Sequence, residues 1–182
     1  MMSEKISGKV QVYTGNGKGK TTAAIGLTVR ALGHGKKVLF VSLMKGYSYV
    51  YGEEKVFSAL ESAGFPIVHR KFGTDYFVDP NDPDEKSIEE ARKGLEFVLD
   101  MMKKEKFDIV VVDEINVAVH FNLLSLDDVK KLIEEKPEDT ELILTGRYAA
   151  EEIKEMADLV TEMCEIKHYF RDGVPAREGI EY

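Results

Sequence analysis

The chain predicts one α/β domain over residues 1–182, built on a doubly wound, mostly parallel sheet. Three observations carry that expectation. Strand-like and helix-like stretches alternate from end to end. Several of the strand-like stretches are unbroken apolar runs, such as Ile109-Val110-Val111-Val112, which suits strands covered on both faces. The first of them, Val10-Gln11-Val12-Tyr13, feeds a glycine-rich turn that opens a helix-prone segment.

Taken in order, strands are expected at 8–13, 37–43, 66–71, 107–112, 140–145 and 159–167. The helix after the glycine-rich turn runs toward Gly33-His34-Gly35, where His34 reads as a C-terminal turn residue. A second helix spans 53–63 and is closed by Gly64. The clearest pattern lies over 87–104, where Ile88, Ala91, Leu95, Val98, Leu99 and Met102 share one face. Ser87, with Glu90 three residues on, reads as its capping box, and Ser125 with Asp128 begins a further helix. Two stretches are irregular. Residues 71–85 are acidic and aromatic, with Tyr76, Phe77, Pro80 and Pro83, and the segment 169–182 is rich in turn signals and placed to fold back over a site. Right-handed crossovers put ligands at the carboxyl ends of the strands.

Composition narrows the function classes. The chain has 182 residues, 43% hydrophobic and 32% charged, as expected of a globular domain large enough to bury a core. A net charge of −8 argues against nucleic acid as the main ligand. Residues 1–9 hold no apolar targeting segment, and no run is long enough to span a bilayer, so no membrane partner is expected. One cysteine, Cys164, precludes an internal disulfide framework and fits a reducing cytoplasm; it reads as a core residue. Positive charge concentrates near the first turn, at Lys9, Lys18, Lys20, Arg30, Lys36 and Lys37, which points to a small anionic ligand.

That turn is Gly15-Asn16-Gly17-Lys18-Gly19-Lys20-Thr21-Thr22. Its glycines allow the backbone to wrap an anion with successive N–H groups, and the helix that follows adds partial positive charge. Lys20 is expected to reach the terminal phosphates and Thr21 to ligate magnesium. The usual pattern has a glycine where this chain has Thr14, so the loop is either shortened or held with different contacts.

The second half of the site is expected at Val112-Asp113-Glu114, an apolar strand ending in two carboxylates. Asp113 and Glu114 point to opposite sides if the strand continues, so one faces the metal and the other packs or caps. Glu114 as a water-activating base is the alternative. Arg147, after Leu144-Thr145-Gly146, reaches phosphate or base or else lies exposed to solvent, and Arg30 faces the nucleotide or bridges to an acid. His69, His120 and His168 lack metal-ligand spacing, so no zinc is assigned.

Together these residues resemble the P-loop type of ATP:corrinoid adenosyltransferase over 8–182. The resemblance rests on Thr14 through Ala24, Arg30, Gly33-His34-Gly35-Lys36-Lys37-Val38, Lys45-Gly46, Asp113-Glu114, Thr145-Gly146-Arg147, Lys167-His168 and Gly179-Ile180-Glu181-Tyr182. Ser42-Leu43-Met44 replaces a more usual Gln-Phe-Ile-like run, the aromatic loop near Tyr76 is spaced differently, and a longer N-terminal arm is mostly missing. The resemblance implies a P-loop NTPase-like, recombinase-like fold and transfer of the 5′-deoxyadenosyl group of ATP to a Co(I) corrinoid. It implies Lys18 and Lys20 as the catalytic pair, and nucleotide contacts from Gly15, Asn16, Gly17, Lys18, Gly19, Lys20, Thr21, Thr22, Arg30 and Arg147. Thr21, Glu114 and Asp113 would hold magnesium or manganese, and Tyr76 and Phe77 would meet the corrinoid. A flavin-type reductase as partner, a homodimer and a cytoplasmic setting are implied as well. A P-loop ATPase or kinase, and a nucleotide-binding regulatory module, are the other classes.

Overall fold

Six parallel strands, ordered β3-β2-β4-β5-β1-β6, form one sheet in the computed structural model, which describes residues 7–182. Residues 1–6, part of the stretch read as free of a targeting segment and as the stub of a longer arm, lie outside the described residues. The strands are β1 (Val10–Thr14), β2 (Val38–Ser42), β3 (Ile67–Lys71), β4 (Ile109–Asp113), β5 (Glu141–Thr145) and β6 (Leu159–Glu162). The helices are α1 (Lys20–Gly33), α2 (Gly52–Ser62), α3 (Glu85–Lys104), α4 (Ile115–His120), α5 (Leu126–Glu134) and α6 (Glu151–Met156), with a 3-10 turn at Tyr169–Asp172.

The apolar runs do what their composition demands. In β4, Val110 and Val112 enter the core under α3 to α6, while Ile109 and Val111 enter the one under α1 and α2. Every residue of β2 and β4 is buried, so neither strand needs the polar alternation of a half-exposed sheet. The sheet is therefore parallel throughout rather than mostly so, and all six carboxyl ends share one margin.

Local signals were met with two shifts. Ser125 and Asp128 form the expected reciprocal cap of α5, and Gly64 takes the positive φ of 88° that ends the turn after α2. Asp84, not Ser87, caps α3: its carboxylate accepts the Ser87 N–H at 3.0 Å and the Ser87 hydroxyl at 2.6 Å. Ser87 is itself buried, and Glu90 instead accepts a hydrogen bond from the Tyr47 hydroxyl at 2.8 Å. β6 ends at Glu162 instead of running to 167, because the chain turns there to meet the glycine-rich loop, with the Met163 carbonyl accepting the Gly17 N–H at 2.6 Å. All four residues of β6 are exposed, and Cys164 just beyond is exposed too, not a core residue.

Candidate active site

The loop between β1 and α1 is shaped by its glycines and by what it packs on. Gly15 and Gly19 have φ of 93° and 121°, conformations that side chains resist. A Cβ on Gly17 would stand 2.6 Å from the Met163 carbonyl oxygen, so the segment after β6 requires a bare backbone there. α1 begins at Lys20 with no acidic residue in its first turn and no side-chain cap, which leaves its leading N–H groups to an anion. Thr14 has work that a glycine could not do: its hydroxyl accepts the Ala149 N–H at 3.2 Å, tying the turn after β5 to the start of the loop.

Two lysines project from this loop. Lys20 is buried, and its ammonium donates to the carbonyls of Gly15 at 2.7 Å and Gly17 at 2.6 Å. Burial, and then the Arg147 charge, lower its pKa, against the pull of Glu114 and Asp113. Lys18 reaches the C-terminal segment, donating to the Ile180 carbonyl at 2.7 Å and pairing with Glu181 at 3.5 Å.

Asp113 and Glu114 divide their roles through the backbone. β4 stops at Asp113, and Glu114 adopts a left-handed φ of 63°, so the two do not alternate as they would along a strand. Asp113 is fully buried, accepts the Thr145 hydroxyl at 2.6 Å and pairs with Lys45 at 3.2 Å. Thr145 in turn accepts the Glu114 N–H at 3.1 Å, which fixes the turn. Glu114 lines the cavity beside Lys20 and Thr21. Burial, reinforced by the charge of Asp113, pushes its carboxyl up to about 7, while Lys45, Lys20 and Arg147 pull the other way. Behind them, Lys45 also pairs with Glu53 at 3.1 Å and lies 4.5 Å from the Tyr51 ring centre. Burial alone would lower the Lys45 pKa, but Asp113 and Glu53 outweigh it and raise it strongly.

Lys18, Lys20 and Glu114 line a cavity of about 1010 Å³. It is lined by the loop from Asn16 to Thr22 with Glu114, Arg147 and Tyr148, and by His168, Phe170, Arg171 and Glu181 of the C-terminal segment. That segment is knit internally by Glu181, which binds Arg177 and the Tyr169 hydroxyl and is held at about 2 by them. Its end touches the loop before α2, with the Tyr182 and Tyr49 ring centres 5.1 Å apart.

The structure thus gathers Asn16, Gly17, Lys18, Gly19, Lys20, Thr21, Thr22, Glu114 and Arg147 around one cavity, and the C-terminal segment folds back over it as expected. Gly15 contributes only through its carbonyl to Lys20. Two expectations need correction. Arg30 is exposed near the far end of α1, about 15 Å along the helix from Lys20, and does not line the cavity. Asp113 is behind the site, its oxygens engaged by Thr145 and Lys45. Tyr76 and Phe77 lie outside this cavity on the loop after β3; both are exposed, Phe77 fully, so neither is core. Tyr148 and Phe170 were missed. Tyr148 had a readable signal, an aromatic residue directly after a strand-end Gly-Arg pair, whereas Phe170 depends on the path of the C-terminal segment.

Known proteins resemble this chain over nearly its whole length. A corrinoid adenosyltransferase of Escherichia coli is 37% identical over 175 residues, covering 96% of this chain and 86% of that one. The corresponding protein of Pseudomonas aeruginosa is 34% identical, covering 100% and 90%. Corrinoid adenosyltransferase CobA of Salmonella typhimurium is 35% identical, covering 99% and 88%. Among solved structures, a KaiC-like protein from the hyperthermophilic archaeon Pyrococcus horikoshii superimposes with a TM-score of 0.51 at 18% identity, over 86% of this chain and 73% of that one, a likeness of fold alone. The family model for ATP:corrinoid adenosyltransferase BtuR/CobO/CobP matches residues 6–182, so that by its sequence, its glycine-rich loop and its parallel sheet the chain belongs to that family.

Proposed function

We propose that this chain transfers the 5′-deoxyadenosyl group of ATP to the Co(I) of a reduced corrinoid, within cobalamin biosynthesis. Co(I) supplies the electron pair for the new Co–C5′ bond, the C5′–O bond breaks, and triphosphate leaves with that bond's electrons. Since Co(I) is itself a strong nucleophile, no general base is needed; the protein orients the partners and stabilises the leaving anion. The observation that carries this reading is the cavity itself, whose lining brings together Lys20, Lys18, Arg147 and the uncapped N-terminus of α1. Anaerobic incubation with ATP, magnesium and chemically reduced cobalamin should replace the Co(I) absorption by that of the alkylated corrinoid and release triphosphate. ADP and phosphate as the products would overturn it.

The oxygen donors of Thr21 and Glu114 suit a hard divalent cation such as magnesium or manganese, with phosphate oxygens completing the shell. Among the described residues no three His, Cys, Asp or Glu side chains cluster to hold a metal without the nucleotide. Bound there, the cation would neutralise charge on the leaving triphosphate. Glu114→Gln is expected to weaken apparent magnesium affinity, with part of the rate recovered at higher metal. An unchanged metal dependence would return Glu114 to the role of base. The same variant tests the raised carboxyl. The folded form holds its proton more tightly than the unfolded chain, so the stability penalty is absent well below the unfolded pKa and grows as pH rises toward about 7. The ligand-free Glu114→Gln protein should therefore gain melting temperature over the native one at pH 8 and not at pH 4.

The corrinoid is assigned to the carboxyl margin of β2 and β3, which β4 and β5 separate from β1 and its phosphate loop. There the loops before α2 and α3 are joined by the Ser48 N–H, which Asp75 accepts at 2.9 Å, and they expose Tyr47, Tyr49, Val50, Tyr76 and Phe77. Exposed aromatic surface of this kind fits a broad macrocycle whose lower face must be shielded from water. Replacing Tyr76 and Phe77 by Ala is expected to reduce turnover from cob(II)alamin several-fold more than turnover from pre-reduced cob(I)alamin, with ATP binding unchanged. Equal losses in both assays would remove these rings from the assignment. A flavin-type reductase as the source of Co(I), a homodimer and a cytoplasmic setting complete the reading, supported by the family resemblance. Among the described residues no helix is long and apolar enough to cross a membrane.

A further inference from the structure

One wall of the cavity is unlike the rest. Tyr148 has a left-handed φ of 64°, a conformation disfavoured for an aromatic residue, and the fold pins it there from both sides. Before it, Gly146 donates its N–H to the Tyr13 carbonyl at 3.2 Å. After it, the Ala149 N–H is held by the Thr14 hydroxyl at 3.2 Å. Both partners belong to the end of β1, from which the phosphate loop springs. The strained turn therefore sets the ring at a fixed place relative to that loop. His120 backs one face of the ring, with centres 4.2 Å apart and planes inclined by 34°. The ring remains 49% exposed and lines the same cavity as its chain neighbour Arg147.

A rigid aromatic plate, supported from behind and open in front, next to a polyphosphate cradle, is suited to a flat base tethered to those phosphates. We propose that Tyr148, backed by His120, is the stacking platform for the nucleotide base and so the residue that separates ATP from a bare triphosphate. This rests on the assignment of residues 15–22 to the phosphates and deepens it. The anion contacts would bind ATP and inorganic tripolyphosphate alike, whereas the plate rewards only the ligand that carries a base. Phosphates on the loop and a base on the plate leave the ribose between them, with the C5′ that joins it to the triphosphate.

The chain has no tryptophan, so Tyr148→Trp introduces a lone indole at the plate. With magnesium present, ATP is expected to quench its emission, and inorganic tripolyphosphate is expected to displace ATP and reverse the quench. Tyr148→Gly suits the left-handed backbone and should fold at least as well. It should weaken ATP roughly tenfold or more while tripolyphosphate stays within about twofold, and Tyr148→Phe should retain native affinity. Equal emission changes with ATP and tripolyphosphate, or unchanged ATP affinity in Tyr148→Gly, would overturn the plate while leaving the phosphate assignment standing. Quenching by cob(II)alamin but not by ATP would give the ring to the corrinoid and overturn it too. If calorimetry finds neither ATP nor tripolyphosphate bound by the native protein, the phosphate assignment falls, and the platform falls with it.

Discussion

Lys20→Ala is expected to lower adenosyl transfer by about a hundredfold or more, the usual consequence of removing one preorganised charged donor from developing negative charge. The ammonium is buried at the mouth of α1 and needs no reorganisation to meet an anion: it already sits among the loop carbonyls of Gly15 and Gly17. Phosphate oxygens would exchange for those carbonyls. Because the bonds that Lys20 makes are local to the loop, the sheet should survive its loss, and the variant should retain a cooperative thermal transition. The comparison that matters is kcat/KM against that transition. Near-native turnover in a well-folded Lys20→Ala protein would remove this loop from the chemistry.

Lys45→Met should be the most destabilising of the changes considered, by about 3–5 kcal/mol, because it strands a charge. Asp113 is fully buried, and without Lys45 its second oxygen faces the core with only the Thr145 hydroxyl on the first. Glu53 and the Tyr51 ring lose the same cation. At roughly 2–4 °C per kcal/mol for a chain of this size, the melting temperature should fall by on the order of 10 °C. Adding Asp113→Asn should restore part of it, since a neutral amide needs no counter-ion. A single variant that melts within a degree or two of the native protein would show that the ion pair is not holding the end of β4.

The sheet was readable because burial on both faces forces apolar runs, and Ile109 to Val112 can hardly be anything but an inner strand. The phosphate loop was readable because wrapping an anion requires glycine at particular positions. Other features left no such trace. α4 and α6 have six residues each, less than two turns, too short for a 3.6-residue period to show. The cap of α3 moved to Asp84 because two residues offered the same chemistry three positions apart. The separation of Asp113 from Glu114 depends on one backbone rotation at Glu114, and the misplacement of Arg30 on distance along α1. Neither leaves a mark in residue type. Thr14 was read as a departure from the loop pattern, and only its partner, more than a hundred positions away, explains it.

The position of β1 in the sheet carries a consequence for how the protein is made. Among the described residues β1 pairs with β5 and β6 alone, so residues 10–14 must await residues 141–145 and 159–162. On a ribosome adding about 5–20 residues per second, β1 emerges ahead of β2 to β6 yet is among the last of them to find its neighbours. Meanwhile β2, β3 and β4 can assemble with α2 and α3. The glycine-rich loop hangs from β1 and leans on Met163, so ATP has no finished loop to bind until residue 163 is out. Closure of so distant a contact is the slow, entropically costly event of folding. A nascent chain halted before β5 would display a partial sheet and no capacity for nucleotide, which makes ATP a late-acting stabiliser of this fold rather than a template for it.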